Sequence, residues 1–470
     1  MNAAIRHLLV IGSAFFGAWL IGVHDSAAGE LARRLAAAEP GTVVQVGPGV
    51  YRERLVIEKP VTLEGIGRPV LDGGGSGDIV EIRSPDVTVR GFAVRNTGID
   101  LDQENAAIRV LAPRVVIEDN QLDDILFGID LRQAPDCVIR NNRIGGKRLD
   151  IARRGDGLRL WRSDRTLIEG NVIHSGRDVI LWYSSHVAVR RNLAENCRYG
   201  LHLMFSDHVT IEQNRFSGNS VGIYLMYSTE VVIADNELLR NRGPSGYGLG
   251  LKETDRFSVR RNLMSGNRVG VYLDGSPFTD ARPGEFVRNT FAYNDIGITF
   301  LPSVRNNELV ENNFVGNLDQ VSVSGRGNLK ANRFWRGDVG NFWSDYTGYD
   351  QDRNGVGDFV HESTTLFDSL IEREPKLRLF LFSPAQQAIE LVGRMLPSVR
   401  PEPKFVDEVP LMRPMPDALP VGSYADRPRH TRAGQVAVGL GLLGIGLTVL
   451  LTARPSAGSV AGASMQGGRR

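Results

Sequence analysis

Two cysteines in 470 residues are too few for a disulfide framework or a cysteine-only metal site. Aromatic residues are also scarce, at 7%. Neither charge sign dominates: 55 Lys and Arg stand against 54 Asp and Glu, a net charge of +1. A missing basic excess argues against a nucleic-acid binder, which needs cations to neutralise phosphates. Hydrophobic residues at 42% and charged residues at 23% argue against long-range disorder. Glycine, by contrast, is abundant at 53 residues. Abundant glycine with few aromatics fits a turn-rich β protein better than a helical bundle. Length alone gives about three domains as a prior.

The two ends read as targeting and membrane segments. Residues 1–28 carry Arg6, then the apolar run LLVIGSAFFGAWLIGV, then the small residues Ser26, Ala27 and Ala28. This is the pattern of a secretory signal peptide, with an uncleaved anchor as the alternative. Residues 433–453 are 21 residues with no charge and a single Gln, long enough to span a bilayer. Arginines flank this run on both sides, so the charge bias alone is weak. An export signal would place the body outside the cytoplasmic membrane, a transmembrane helix at 433–453 and a cytoplasmic tail at 454–470.

The body repeats, and the repeat sets the expected fold. GIDLR (128–132), GLRLW (157–161), DVILW (178–182), GLHLM (200–204), GIYLM (222–226), GLGLK (248–252) and GVYLD (270–274) align with steps of 29, 21, 22, 22, 26 and 22 residues. A second series (VVIEDN, CVIRNN, TLIEGN and their successors) ends at Asn120, Asn142, Asn171, Asn192, Asn214, Asn236 and Asn262. Asn289, Asn313 and Asn332 are expected to continue it. A unit this short cannot bury an apolar face alone, but stacked units can. The recurrent Asn suits a turn, where it tolerates the left-handed region and can hydrogen-bond from coil to coil. The pattern predicts a right-handed parallel β-helix with coils from about 41 to about 340, inside an all-β domain of 29–362. Residues 29–39 are expected to form a short helix covering the first coil, which would otherwise offer an edge.

Period-two alternation assigns the faces. Ile129, Leu158, Val179, Leu201, Ile223, Leu249 and Val271 should point inward, as should the Leu two residues after each. One outward column then reads Asp130, Arg159, Ile180, His202, Tyr224, Gly250, Tyr272, and is expected to face solvent. The next reads Arg132, Trp161, Trp182, Met204, Met226, Lys252, Asp274. Trp161, Trp182 and Tyr224 make a candidate binding face, unless a loop or the C-terminal segment covers it. Four histidines fall between 174 and 208, and His186 and His208 hold the same repeat position. His202 and Met204 share one strand. Thioethers and imidazoles favour Cu(I) over hard cations, so Met204, Met226, His202, His208 and His186 are candidate copper ligands. No fixed ligand-spacing rule is met, and solvated surface histidines are the plain alternative. Cys137 aligns with inward Val187 and Val209, and Cys197 lies more than two coils away, so a disulfide is not expected.

Beyond the coils, Asp350, Asp352, Asn354 and Asp358 resemble the opening of a calcium loop. His361 stands where an EF-hand needs its bidentate Glu, which leaves a smaller calcium-stabilised turn or a plain solvated loop. FWRGDVGNFWSDY (334–346) should plug the end of the helix. Residues 364–400 show amphipathic helical periodicity, and the stretch from Pro397 to Pro428 reads as an extended linker. Together 363–432 are expected to lie on a membrane or dock on a membrane partner.

Several ordered segments carry a family resemblance: GPGVYRERLVIEKPVTLEG (47–65), YLMYS (224–228), GNFWSDYTGYDQDRNGVGD (340–358), SPAQQAIELV (383–392) and VDEVPLMRP (406–414). Together they make the chain similar to the NosD family of nitrous oxide reductase maturation proteins over nearly its whole mature length. The resemblance implies a periplasmic, non-enzymatic accessory protein working with an ABC transporter permease and ATPase. It implies nitrous oxide reductase apoprotein and a periplasmic copper chaperone as further partners, and assembly of the reductase's copper–sulfur centre as the task. A C-terminal transmembrane run is a departure from what the family leads one to expect. The competing reading is a carbohydrate-binding protein, or a polysaccharide lyase, hydrolase or epimerase, on the same fold, because fold alone does not choose. Hydrolysis needs two carboxylates facing one cleft, whereas outward Asp130 and Asp274 are six coils apart.

Overall fold

A computed structural model of the chain describes residues 29–279, 282–325, 327–362, 366–380, 383–396 and 402–416. The expected signal peptide, the apolar run 433–453 and the tail 454–470 lie outside the described residues. Among the described residues, no helix is long and apolar enough to cross a membrane.

Each coil supplies one short strand to each of three parallel sheets, of twelve, thirteen and twelve strands. The chain is therefore an all-β, right-handed-type parallel β-solenoid of about twelve turns. Pairing runs in the register that the repeat alignment gives: Trp161 faces Trp182, Trp182 faces Met204, and Met204 faces Met226. The inward rows, such as Leu158, Leu181, Leu203, Leu225 and Leu251, are fully buried. At the N-terminal end the helix Glu30–Ala37 seats Leu31 and Leu35 over the first coil. Cys137 and Cys197 are buried free thiols. Burial pushes their pKa up to about 11 and about 12, so neither is a reactive thiolate at neutral pH.

The turns are stitched by side-chain ladders. Asn142, Asn171, Asn192, Asn214, Asn236 and Asn262 each accept on Oδ1 from the backbone N–H and the Nδ2 of the Asn one coil before, at 2.9–3.2 Å. The series continues through Asn289, Asn312 and Asn341, not Asn313 and Asn332 as the spacing suggested. Asn332 instead pairs with Asn307 at a different turn. The left-handed conformation also falls elsewhere: the residue before each ladder Asn from Asn120 to Asn312 takes it, as at Asn141, Arg191, Gln213 and Asp235. The ladder Asn serves purely as a buried hydrogen-bonding relay. A second Asn ladder runs from Asn219 through Asn241, Asn267 and Asn294 to Asn317. Serines 163, 184, 206 and 228 form a third.

At the distal end, aromatic side chains of 334–346 pack together with a returning segment. Trp343 is buried and stacks on Phe314 at 4.2 Å and on His361 at 4.6 Å. The segment 402–416, which the sequence places in an extended linker, returns to this end. Phe405 packs on Phe334 at 4.4 Å, and Val406–Asp407 pairs antiparallel with His361–Glu362. Asp407 terminates the first Asn ladder by accepting from Asn341 N–H and Trp343 Nε1–H, both at 2.8 Å. Between these parts lie the helices Leu366–Arg373 and Pro384–Met395, the second N-capped by Ser383.

Candidate functional site

The site face is the outer surface of the third sheet, around the adjacent strands Asp178–Trp182, Tyr199–Met204 and Val221–Met226. Strict alternation sends Trp182, His202, Met204, Tyr224 and Met226 away from the core. Outward, however, is not exposed. His202 retains only 8% of its accessible surface, and Asp130, Arg159 and Ile180 in its column are buried too. Long side chains on neighbouring coils roof this column over. The expectation of a solvent-facing column is corrected on that ground.

The structure sorts the candidate copper ligands into three groups. His202 Nε2 lies 3.5 Å from Met226 Sδ. Met204 Sδ accepts the indole N–H of Trp182 at 3.0 Å. His186 and His208 stack on each other at 4.6 Å at the following turn, exposed and apart from the first two groups. Among the described residues no group of three or more His, Cys, Asp and Glu is arranged to hold a metal ion.

His202 is electrostatically distinctive. Burial lowers its pKa to about 4, against the opposing pull of Asp178, so the ring is neutral at neutral pH. Its Nδ1 is buried without a hydrogen-bond partner, 4.0 Å from Asp178 Oδ2. Asp178 is itself fully buried and committed to Arg198 and the Tyr199 N–H. The Tyr199 ring leans on His202 at 4.8 Å.

Sequence reasoning missed the aromatic ladders. Tyr199, Tyr224, Tyr247 and Tyr272 stack successively at 5.7, 6.4 and 4.5 Å. Gly250 makes room for this, since a Cβ there would sit 2.2 Å from the Tyr224 ring. On the rim, exposed Tyr183 stacks on exposed Phe205 at 5.1 Å, and Phe205 stacks on Tyr227 at 4.9 Å. These three directly follow Trp182, Met204 and Met226, and that common offset was the available signal. Stacking consumes ring faces, so Tyr224, covered on both sides, presents mainly an edge. Trp161 carries the Arg162 guanidinium over its ring at 5.3 Å.

The acids are committed elsewhere. Asp130 is fully buried and accepts from Arg109, Arg159 and Arg132 at 2.5, 2.8 and 2.9 Å. In the candidate calcium loop, Asp350 accepts from the Asn354 and Gly355 N–H groups and Asp358 from Gln351 N–H. Asp352 and Asn354 likewise cap nearby amides. These carboxylates fold the loop through their own backbone bonds rather than converging on one point.

Comparison with known proteins bears on this face. The family described as "Periplasmic copper-binding protein (NosD)" matches residues 141–348. A Pseudomonas aeruginosa protein named "Probable ABC transporter binding protein NosD" is 33% identical over 387 residues, covering 79% of this chain and 88% of the relative. A protein of the same name from Stutzerimonas stutzeri is 32% identical over 126 residues, 27% of this chain and 28% of the relative. Among solved structures, the Azotobacter vinelandii mannuronan C-5 epimerase AlgE4 A-module superposes with a TM-score of 0.53. It covers 65% of this chain and 94% of the module at 16% identity, which is a likeness of fold alone.

Proposed function

The chain belongs to the NosD family of periplasmic copper-binding proteins, and on that premise we propose that it is an accessory factor that hands copper, or a sulfur species accompanying it, toward the copper–sulfur centre of nitrous oxide reductase. In this reading copper is cargo. The protein works beside an ABC transporter, as the names of its relatives support, and the reductase apoprotein receives what it carries.

One observation carries the copper assignment: the 3.5 Å separation of His202 Nε2 and Met226 Sδ. A first-row ion bound by nitrogen at about 2.0 Å and sulfur at about 2.3 Å sets two such donors about 3.5 Å apart at a near-tetrahedral angle. Both donors are soft or borderline and both are neutral, which favours Cu(I) over Ca²⁺. With its pKa near 4, His202 offers a free lone pair without first losing a proton. Trp182 fixes the Met204 thioether one strand away as a further sulfur. Few ligands on a rigid scaffold suit loading and release better than storage. His186 and His208 are a secondary, exposed pair at the following turn. Asp130, the outward carboxylate of this column, is locked by three arginines and is not free for polysaccharide chemistry.

Docking to the transporter falls to residues 366–396. There Leu379, Leu391, Met395 and Leu396 are 88%, 57%, 70% and 51% exposed, apolar surface that the described residues leave uncovered. The apolar run 433–453, following soon after, would hold that surface near the bilayer.

The test is an anaerobic Cu(I) titration of the parent and of Met204→Ala/Met226→Ala against a competing chelator. The double variant should bind at least about tenfold more weakly, a loss of about 1.4 kcal/mol. It should remain folded, because both side chains leave the core. In cells it should leave the reductase without its catalytic copper centre. Parental affinity together with normal maturation of the reductase would overturn the assignment.

A further inference from the structure

We propose that Asp178 is the positioning residue of the copper site: it holds His202 in the tautomer that carries its proton on Nδ1, so that the Nε2 lone pair stays free for a soft ion. The inference rests on the copper reading and deepens it.

The local sequence brings this carboxylate beside the ring. Among the aligned segments only DVILW (178–182) opens on Asp, where the others open on Gly. Asp178 pairs with Tyr199, yet Ile180 pairs with His202, so the strand Tyr199–Met204 carries one extra residue between the two pairs. Such a bulge re-aims side chains, and bulges gather beside functional sites. In this register Asp178 Oδ2 lies 4.0 Å from His202 Nδ1, while His202 Nε2 lies 3.5 Å from Met226 Sδ. The rings of Tyr199 and Tyr224 pack against the imidazole at 4.8 and 6.2 Å and limit its rotation.

A neutral imidazole has one N–H and one lone pair, and its surroundings decide which nitrogen holds which. The two tautomers of His202 meet different neighbours. With the proton on Nε2, the ring would donate to Met226 Sδ, a weak neutral acceptor, and would turn the Nδ1 lone pair toward the Asp178 oxygen. With the proton on Nδ1, the positive end of the ring dipole lies toward that oxygen and Nε2 is left open. His202 Nδ1 is buried without a hydrogen-bond partner, so no donor competes for its lone pair. Asp178 has no accessible surface, so solvent does not screen its effect on the ring. A charged acceptor outweighs a thioether, and the Nδ1–H tautomer is favoured.

The carboxylate is itself held still. It accepts from Arg198 Nε–H at 2.9 Å and from the Tyr199 N–H at 3.2 Å. Arg198 opposes the pull of Asp178 on the ring, but more weakly. Its side chain is 41% exposed, where water screens it. Histidine metal ligands characteristically turn their other N–H toward a carboxylate, which fixes the tautomer and makes the ligating nitrogen more basic. Asp178 stands in that relation to His202.

The experiment uses the full-length protein, copper-free and isotope-labelled at the histidine ring nitrogens, read by solid-state NMR at neutral pH. Loss of signals in His202→Gln assigns the His202 ring. The parent should show a protonated Nδ1 and an unprotonated Nε2. Asp178→Asn, close in size, replaces the charged acceptor with a group that can donate to Nδ1. It should shift the ring toward Nε2–H and weaken Cu(I) binding about tenfold against a competing chelator. Arg198→Gln breaks the same ion pair but keeps the carboxylate, and should keep both the Nδ1–H tautomer and the parental affinity. An Nε2–H ring in the parent, an unchanged tautomer in Asp178→Asn, or the same shift in Arg198→Gln would overturn the proposal. Should Asp178→Asn not fold, the tautomers of the parent and of Arg198→Gln decide alone. Because the tautomer is read without copper, the two readings fail separately. An Nδ1–H ring in a parent that binds no Cu(I) would sink the copper reading, and tight Cu(I) binding by a parent with an Nε2–H ring would sink the role of Asp178.

Discussion

Replacing Asp407 by Asn should change how the solenoid's distal seal responds to pH. Asp407 has no accessible surface, and its carboxylate accepts from Asn341 N–H, Trp343 Nε1–H and Val409 N–H. Burial outweighs these donors and raises its pKa to about 6. An unfolded Asp titrates near about 3.9. The folded value is the higher one, so the seal's stability is greatest below pH 4 and declines as pH rises through 6. Two pKa units correspond to about 3 kcal/mol, spent at neutral pH on holding a charge out of water. Asn removes the charge, keeps an acceptor for Asn341 and Trp343, and loses the bond from Val409, worth about 1 kcal/mol. The variant's seal should therefore be about 2 kcal/mol tighter at pH 7 and about 1 kcal/mol looser at pH 4. Hydrogen-exchange protection of Gly340, Asn341 and Leu411, corrected for intrinsic rates, reads this directly. These amides are bonded across the seal or to Asp407 itself. Parental protection should rise about a hundredfold from pH 7 to pH 4, and the Asn variant should be nearly flat. A flat parental profile, or the same slope in both proteins, would refute the reasoning.

Two further outcomes are expected. Asn192→Ala breaks the first ladder in mid-run, stranding the Asn171 N–H and Nδ2 and the Ile168 carbonyl inside the turn. Urea unfolding should show a loss of about 2–4 kcal/mol, and a loss below half a kcal/mol would mean that the ladder is dispensable. For His202, whose folded pKa lies below the unfolded value, the neutral ring stabilises the fold above about pH 6.5, and that contribution is lost as pH falls toward 4. Cu(I) affinity measured across this range should accordingly stay level from pH 8 to about pH 5 and fall only near pH 4. A midpoint near 6.5 would show that His202 is not the ligand.

Much of this protein is written locally, coil by coil. The 22-residue period, the inward leucines and the column Trp161, Trp182, Met204, Met226 followed from the sequence, because each coil repeats the same alternation and stacking fixes the register. The ladder through Asn289 was legible for the same reason. Its last two members were not, because irregular final coils let Asn313 and Asn332 imitate the spacing while Asn312 and Asn341 take the bonds. Tertiary structure alone decided that Asp407, 66 residues beyond Asn341, would end that ladder. Such a long-range contact leaves no period to read. Burial of His202 was likewise invisible, since alternation gives a side chain's direction but not the size of what roofs it. Its lowered pKa and its approach to Met226 both depend on which side chains meet across neighbouring coils. That is set by packing between units, not by the pattern within any one of them.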